Sequence, residues 1–369
     1  MIKMKRNICI AALLFYFIMF CGCSLIKTSI ETNGKPGTET NTVPPSSNSS
    51  ERTDQSSSNK IIYYYPFKAD TTYIYEGKGN EFASFNKWVD YIKGDKLQER
   101  INNGGTEISR VIQNKDGELK LIFKKEESYY REDFTSAASN YEEILLKEPL
   151  VKGTSWTLPD GRKRYISNVN VPVTVPSGNY KALEVTTEGK GSKDYDYYAP
   201  NIGLVKSLYK AKGMEVTSSL KKIESNTTLA QNVKFYYPNS NDEKLYYIEK
   251  PLTFKTNDIT KLAFEKQFKL APQDALIRLM GENAKINTMY LNNDGMVYVD
   301  FSKEFTSEMN LGASYESLVL RAVANTAGQY YGSNKVYITV NGEPYKSGHI
   351  LMEKGEAINV NTADSVKQP

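Results

Sequence analysis

Hydrophobic positions are unevenly spread along this chain. An unbroken apolar run of thirteen residues, Ile8 to Phe20, follows three basic positions, Lys3, Lys5 and Arg6. From Ser24 to Lys60 the sequence is Ser, Thr, Asn, Pro and Gly with scattered charges, as in Pro44-Pro45-Ser46-Ser47-Asn48-Ser49-Ser50. So little apolar surface cannot offset the entropy of ordering, and residues 23–60 are predicted to be a disordered tether with a reach of about 35 Å. Beyond it, β-branched and aromatic runs alternate with Gly, Pro and Asp turns. The runs are Ile61 to Pro66, Thr71 to Gly77, Leu119 to Phe123, Arg164 to Val169, Val171 to Val175 and Lys181 to Val185. Their period-two spacing predicts an antiparallel β-rich domain over residues 61–224, with a helical stretch fitting only over Ala137 to Leu146.

From about Gln231 helical periodicity joins the strands. Val233 to Pro238 and Leu245 to Glu249 read as strands, and Pro272 to Gly281 reads as a helix with Leu276, Leu279 and Met280 on one face. A hairpin follows, Met289 to Asn292 and Met296 to Phe301, joined through Asn293-Asp294-Gly295. A second helix is predicted with Ser314 as N-cap and Glu316 set against the helix dipole. Its buried face would be Leu320, Val323, Ala324, Ala327 and Tyr331, with Gly332 as the stop. Lys335 to Val340, the turn Asn341-Gly342 and a return near His349 to Leu351 complete a second unit over residues 231–362. The chain as a whole reads as an α+β multidomain protein.

Composition removes most chemistry. The apolar run is too short for a spanning helix, which needs roughly 20 residues, and has the length of a secretion signal over residues 1–22. Two of the three cysteines, Cys9 and Cys21, lie within that signal, so a processed chain keeps Cys23 alone. A disulfide, a thiol nucleophile and a cysteine-based metal site are then excluded. The single histidine, His349, excludes multi-histidine metal sites and, with no elbow-type serine motif nearby, reads as an ordinary surface or strand-end residue. Removing the three basic residues of the signal from the total of 47 leaves 44 basic positions against 43 acidic, which gives no electrostatic footprint for nucleic acid. Paired acids such as Glu126-Glu127 and Glu142-Glu143 are adjacent in sequence, a poor start for the two-sided geometry of glycosidic cleavage.

Three sets of motifs carry resemblances. Phe20-Cys21-Gly22-Cys23-Ser24 resembles a lipobox, which implies lipidation of Cys23 and an anchor of acyl chains, palmitate among them, on the outer face of the cell membrane. Gly153-Thr154-Ser155-Trp156, Pro176-Ser177-Gly178-Asn179-Tyr180 and Tyr197-Tyr198-Ala199-Pro200-Asn201-Ile202-Gly203 are similar to phrases in β-rich bacterial envelope lipoproteins. That resemblance implies an open, curved sheet or half-barrel. Phe235-Tyr236-Tyr237-Pro238, Leu279-Met280-Gly281, Val299-Asp300-Phe301, the stretch Leu318 to Gln329 with Asn325-Thr326, and Asn341-Gly342-Glu343-Pro344 resemble the GerMN domain of GerM-type sporulation and germination proteins. The resemblance implies two helices on a mostly antiparallel sheet, similar to ring-building modules, and no enzymatic activity. The long charged segment Phe254 to Leu270 and the Gly281-Glu282 pair depart from the family pattern.

These readings predict a non-enzymatic, membrane-anchored envelope lipoprotein related to sporulation or germination. It would act in assembly through protein–protein contacts of the GerMN-like domain, with envelope or sporulation proteins or by self-association, and without cofactor, metal or nucleic acid. The alternative is a ligand-binding lipoprotein that holds an apolar or glycan ligand on tyrosines of the β-domain, the chain having 27 of them.

Overall fold

The computed structural model describes residues 60–368. The expected signal, the expected lipidation site Cys23 and, except for Lys60, the expected tether lie outside the described residues. Twelve antiparallel strands run from residue 71 to residue 225: β1 (Thr71–Lys78), β2 (Phe85–Lys93), β3 (Lys96–Asn102), β4 (Glu107–Lys115), β5 (Glu118–Lys125), β6 (Glu143–Lys147), β7 (Ser155–Thr157), β8 (Lys163–Val175), β9 (Gly178–Glu188), β10 (Ser192–Ala199), β11 (Gly203–Ala211) and β12 (Met214–Ser225). They form one sheet in the order β6-β5-β4-β3-β2-β1-β12-β11-β10-β9-β8-β7. Because β6 and β7 are joined by a short loop, the two edges of the sheet meet, and it curls beyond a half-barrel to near closure. No ladder joins the seam. Instead Trp156 Nε1 and Arg164 Nη1 both donate to the Ile144 carbonyl, at 3.0 and 2.9 Å, and Arg164 Nη2 pairs with Glu143 Oε1 at 2.8 Å.

Some local readings need correction. Ile61 to Tyr65, an apolar run that fits strand or helix equally, begins with a short helix α1 (Ile61–Tyr64) that packs Ile61 and Tyr65 into the barrel core beside Trp156 and Tyr198. Ala137 to Leu146 holds no helix: the Asn140 and Tyr141 amides donate to the Ile122 carbonyl, and Glu143–Lys147 pairs with β5. Arg164 to Val169 and Val171 to Val175 are one strand, β8, whose pairing with β9 slips around Asn170 (φ 58°).

The second unit begins with β13 (Leu229–Pro238) and β14 (Leu245–Phe254), which form a hairpin. Helix α2 (Thr260–Phe268) follows, then β15 (Ile286–Leu291), β16 (Val297–Phe301), the single turn α3 (Glu304–Ser307), α4 (Ala313–Tyr331) and β17 (Lys335–Val340). Short strands β18 (Glu343–Pro344), β19 (Ile358–Asn359) and β20 (Val366–Lys367) end the described chain. β16 and β17 are parallel, joined across α4, while β15 and β18 flank them antiparallel. β20 adds in parallel to β14.

The first helix is displaced from its expected place. Residues 272–281 do not form one: the Ile277 amide donates to Pro238 O and Leu276 bridges Asn239, so this backbone is satisfied by the end of β13. The helix lies instead at Thr260–Phe268, inside the long charged segment, where Phe264 and Phe268 share one buried face. The second helix begins two residues earlier than expected. Gly312 occupies the N-cap, Ser314 Oγ donates to Glu243 Oε2, and Gly332 (φ 71°) ends the helix in the left-handed conformation. Leu320, Val323, Ala324, Ala327 and Tyr331 are all buried, as their spacing predicts. After β17 the chain returns at once, at Glu343–Pro344, because Asn341 (φ 50°) and Gly342 (φ 81°) make a two-residue turn.

Candidate interface between the barrel and the C-terminal domain

Each strand of the barrel sends alternate side chains to its two faces, and on β2 to β4 both faces are buried. Inside lie Lys87, Val89, Leu97, Glu99 and Ile112. The fully buried Glu99 accepts from Tyr65 OH at 3.0 Å, pairs with Lys87 at 3.3 Å and is bonded by Arg110. Burial opposes its charge, but Lys87 and Arg110 outweigh that and hold the carboxyl down at about 2. The space left beside this cluster is about 10 Å³, room for about one water.

The outer face of the same strands carries Asp90, Gln98, Arg100, Ser109 and Val111, with Phe123 of β5 beside them, and it is covered by the C-terminal unit. Val111, Phe123, Tyr130 and Phe134 belong to the same hydrophobic core as Phe235, Phe264 and Tyr331. Residues 255–260, leaving β14, run along β2: Asn257 N donates to Asp90 O, Ile92 N to Asn257 Oδ1, and Thr256 Oγ1 to Val89 O, at 3.0, 2.8 and 2.9 Å.

Arg131 fastens this contact. It is fully buried and donates to Tyr91 OH at 2.7 Å, to Asp90 O at 2.9 Å, to Lys255 O at 3.2 Å and to Asp258 O. Its guanidinium lies 4.2 Å from the Tyr91 ring centre and 5.0 Å from that of Phe254. Tyr330 OH on α4 accepts from the Arg131 amide at 2.9 Å and donates to Gln231 Oε1 on β13 at 2.8 Å. The charge is balanced by Asp90, which also meets Arg100 at 3.2 Å, and Arg100 in turn pairs with Glu107 at 2.8 Å. Nothing in the sequence singled out Arg131; the segment flagged as departing from the GerMN pattern is the one that docks on it.

Beside this contact an open groove of about 860 Å³ runs between barrel and C-terminal unit. Its floor is residues 230–234 of β13, and its walls include Glu107, Tyr129, Gln329, Ser333 and Thr362. A volume of this order lies within the range of small-ligand sites, but the lining is polar.

The residues considered for catalysis stand apart. His349 Nδ1 is 2.9 Å from Glu316 Oε2, and Ser347 Oγ donates to Glu316 Oε1. A serine, a histidine and an acid are thus neighbours in the wrong order, since the Ser347 hydroxyl is bonded to the acid and not to the imidazole. Burial opposes the charge on Glu316, yet bonds from Ser347, His349 and Tyr345 hold its carboxyl below the usual range. Glu126 pairs with Lys124, Glu127 accepts from Tyr129 OH at 2.6 Å, and Glu143 is engaged with Arg164 at the seam. Among the described residues no group of three or more His, Cys, Asp or Glu side chains is placed to hold a metal ion, and no helix is long and apolar enough to cross a membrane.

A nearly closed β-barrel fused through a buried arginine to a small α/β unit is the architecture that these contacts define. Residues 234–346 of that α/β unit match the family Germane: Sporulation and spore germination, so the C-terminal region is a Germane domain. No curated protein matches the chain. Among solved structures, the first GerMN domain of the sporulation protein GerM from Bacillus subtilis is 17% identical, with 37% of this chain and 96% of that one covered and a TM-score of 0.25. A chain described as a lipoprotein from Clostridium perfringens is 14% identical, covering 36% and 87%, with a TM-score of 0.24. One described as an exported protein with YmcC-like fold, from Bacteroides fragilis NCTC 9343, is 12% identical, covering 43% and 98%, with a TM-score of 0.27.

Proposed function

We propose that this protein is a non-enzymatic envelope lipoprotein related to sporulation or germination. Cys23 anchors it by lipid to the outer face of the membrane, and its Germane domain acts in assembly by contacting envelope or sporulation proteins. The observation that carries the reading is the Germane match over residues 234–346. Support comes from the lipobox-like Gly22-Cys23 behind a short apolar run. Support also comes from the buried Arg131 contact, which joins the domain to the barrel. The alternative of an apolar ligand in the barrel is disfavoured by the packed side chains of the interior, the charged cluster of Lys87, Glu99 and Arg110 among them.

The test is photo-crosslinking of the full chain in living cells through growth and sporulation. The probe residue is placed at Leu351 in the C-terminal domain or at Met214 on the barrel, both exposed. Partners joined from Leu351 during sporulation support the reading. Partners joined only from Met214, at every stage, would transfer the role to the barrel.

A further inference from the structure

We infer that the groove takes an extended, uncharged polypeptide segment of a partner protein, which adds as a strand to the free edge of β13. This rests on the assembly reading above and names its mode of contact. β13 is the outermost strand of its sheet, in the order β13-β14-β20. Backbone N–H and C=O groups of successive residues in a strand point alternately to its two edges. The Asn239 amide donates to Lys244 O at 2.9 Å, continuing the ladder with β14 through the odd-numbered residues. The Tyr236 amide points the other way, to Thr326 Oγ1 on α4 at 3.0 Å. Tyr247, opposite Tyr236, likewise turns its carbonyl away from β13, to the Gln368 amide at 2.9 Å.

Ala230, Asn232 and Lys234 therefore present their N–H and C=O groups to the groove. Donor and acceptor recur together every second residue, about 6.8 Å apart, and the backbone of another strand offers the complementary pairs at that repeat. Residues 230–234 leave room for about five residues of an added strand, roughly 17 Å. The Tyr236–Thr326 bond closes one end and sets the register. Lysine on an edge strand commonly discourages pairing, but Lys234 reaches across the sheet face, 4.0 Å from Glu249 and 5.2 Å from the Tyr247 ring centre, and leaves the edge open.

Charge selects the occupant. Glu107 is already held by Arg100 at 2.8 Å and by Asn102 Nδ2 at 3.0 Å, and Lys234 is turned to Glu249. What remains on the walls is amide and hydroxyl, from Asn232, Gln329, Ser333, Asn334 and Thr362. A charged side chain facing these walls would lose water without gaining a counter-charge, so an uncharged segment fits best.

The experiment is amide hydrogen exchange on the full chain, with an array of uncharged peptides of about eight residues as probe and peptide-free glycan strands as a second probe. In the free chain the amides of Ala230, Asn232 and Lys234 should exchange at least about 100-fold faster than those of Gln231, Val233 and Phe235. A bound peptide should slow the same three amides. Its affinity should fall by about tenfold or more in Asn232→Pro, which removes an edge N–H, and stay within about twofold in Asn232→Ala, which keeps it. No binding peptide in the array, equal loss in both variants, or protection by glycan alone would overturn the strand-addition proposal. Were it overturned while sporulation partners still crosslink from Leu351, assembly would stand on another face. Loss of those crosslinks would remove the assembly reading itself.

Discussion

Replacing Arg131 tests whether barrel and Germane domain behave as one body. In Arg131→Ala the carbonyls of Asp90, Lys255 and Asp258 lose a buried donor, and Asp90 keeps only Arg100 as a counter-charge. Asp90 O and Lys255 O keep the Asn257 and Asp258 amides as donors, so the orphaned acceptor is Asp258 O, at about 1–3 kcal/mol, and breaking a buried ion pair from one side costs about 3–5 kcal/mol. These effects overlap, because the same guanidinium serves all of them, so the expected loss is about 4–5 kcal/mol. That is a large share of the roughly 5–15 kcal/mol that holds a typical fold together. The loss should concentrate at the contact. Urea unfolding, followed by tryptophan fluorescence from Trp88 and Trp156 in the barrel and by circular dichroism over the whole chain, should show one coincident transition in the parent protein. In Arg131→Ala the two probes should separate, with the C-terminal unit released first. Arg131→Lys keeps the charge but not the planar fork, and should recover only part of the loss. A variant within about 1 kcal/mol of the parent, with coincident transitions, would refute the assignment of Arg131 as the fastening residue.

Other outcomes follow from single contacts. Burial raises the Glu132 carboxyl to about 7, against the ordinary value near 4.5, so between those pH values the folded chain holds a proton that the unfolded chain has lost. Stability should fall as pH rises from about 4.5 to about 7. Glu132→Gln should be more stable than the parent by about 1–2 kcal/mol at pH 8 and no more stable at pH 4, and equal melting shifts at both would contradict this. Trp156→Phe removes one of the two donors to Ile144 O across the seam. It should cost about 1–2 kcal/mol and speed amide exchange in residues 143–147, and unchanged exchange there would show that the seam does not depend on it. In Gly328→Ala the new Cβ would lie 2.3 Å from Val360 Cγ2 and 2.9 Å from Ser333 O, so α4 or these neighbours must shift. A loss of about 1–3 kcal/mol is expected by denaturant midpoint, whereas a gain from alanine's higher helix propensity would refute close packing at this position.

Periodicity alone located much of the chain, because side-chain spacing is a local consequence of backbone geometry. Thr71 to Gly77, Leu119 to Phe123 and Lys181 to Val185 lie within strands as read, and α4 buries the five residues whose spacing marked its face. Ile61 to Tyr65 failed because an unbroken apolar run has no period, and only packing of Ile61 and Tyr65 into the barrel core decides for a short helix. Pro272 to Gly281 failed for a different reason. It has helical spacing, but Pro238 and Asn239 offer its backbone nearer partners than its own turns do.

From its residues alone, this chain offers a short apolar run behind three basic positions, a β-rich stretch, a Germane-like second half, and a composition poor in catalytic groups. Those properties are local or compositional, and no folding is needed to read them. Tertiary structure decided the rest: the near closure of the barrel through Trp156 and Arg164, the burial of Arg131 between two units, and the open edge of β13 above a neutral groove. Each depends on groups tens of residues or more apart in sequence arriving at one place, as Arg131 does with Asp90 and Lys255. A buried charge leaves no periodic trace. Its partners are chosen by which backbone groups and carboxylates the packed chain leaves without water.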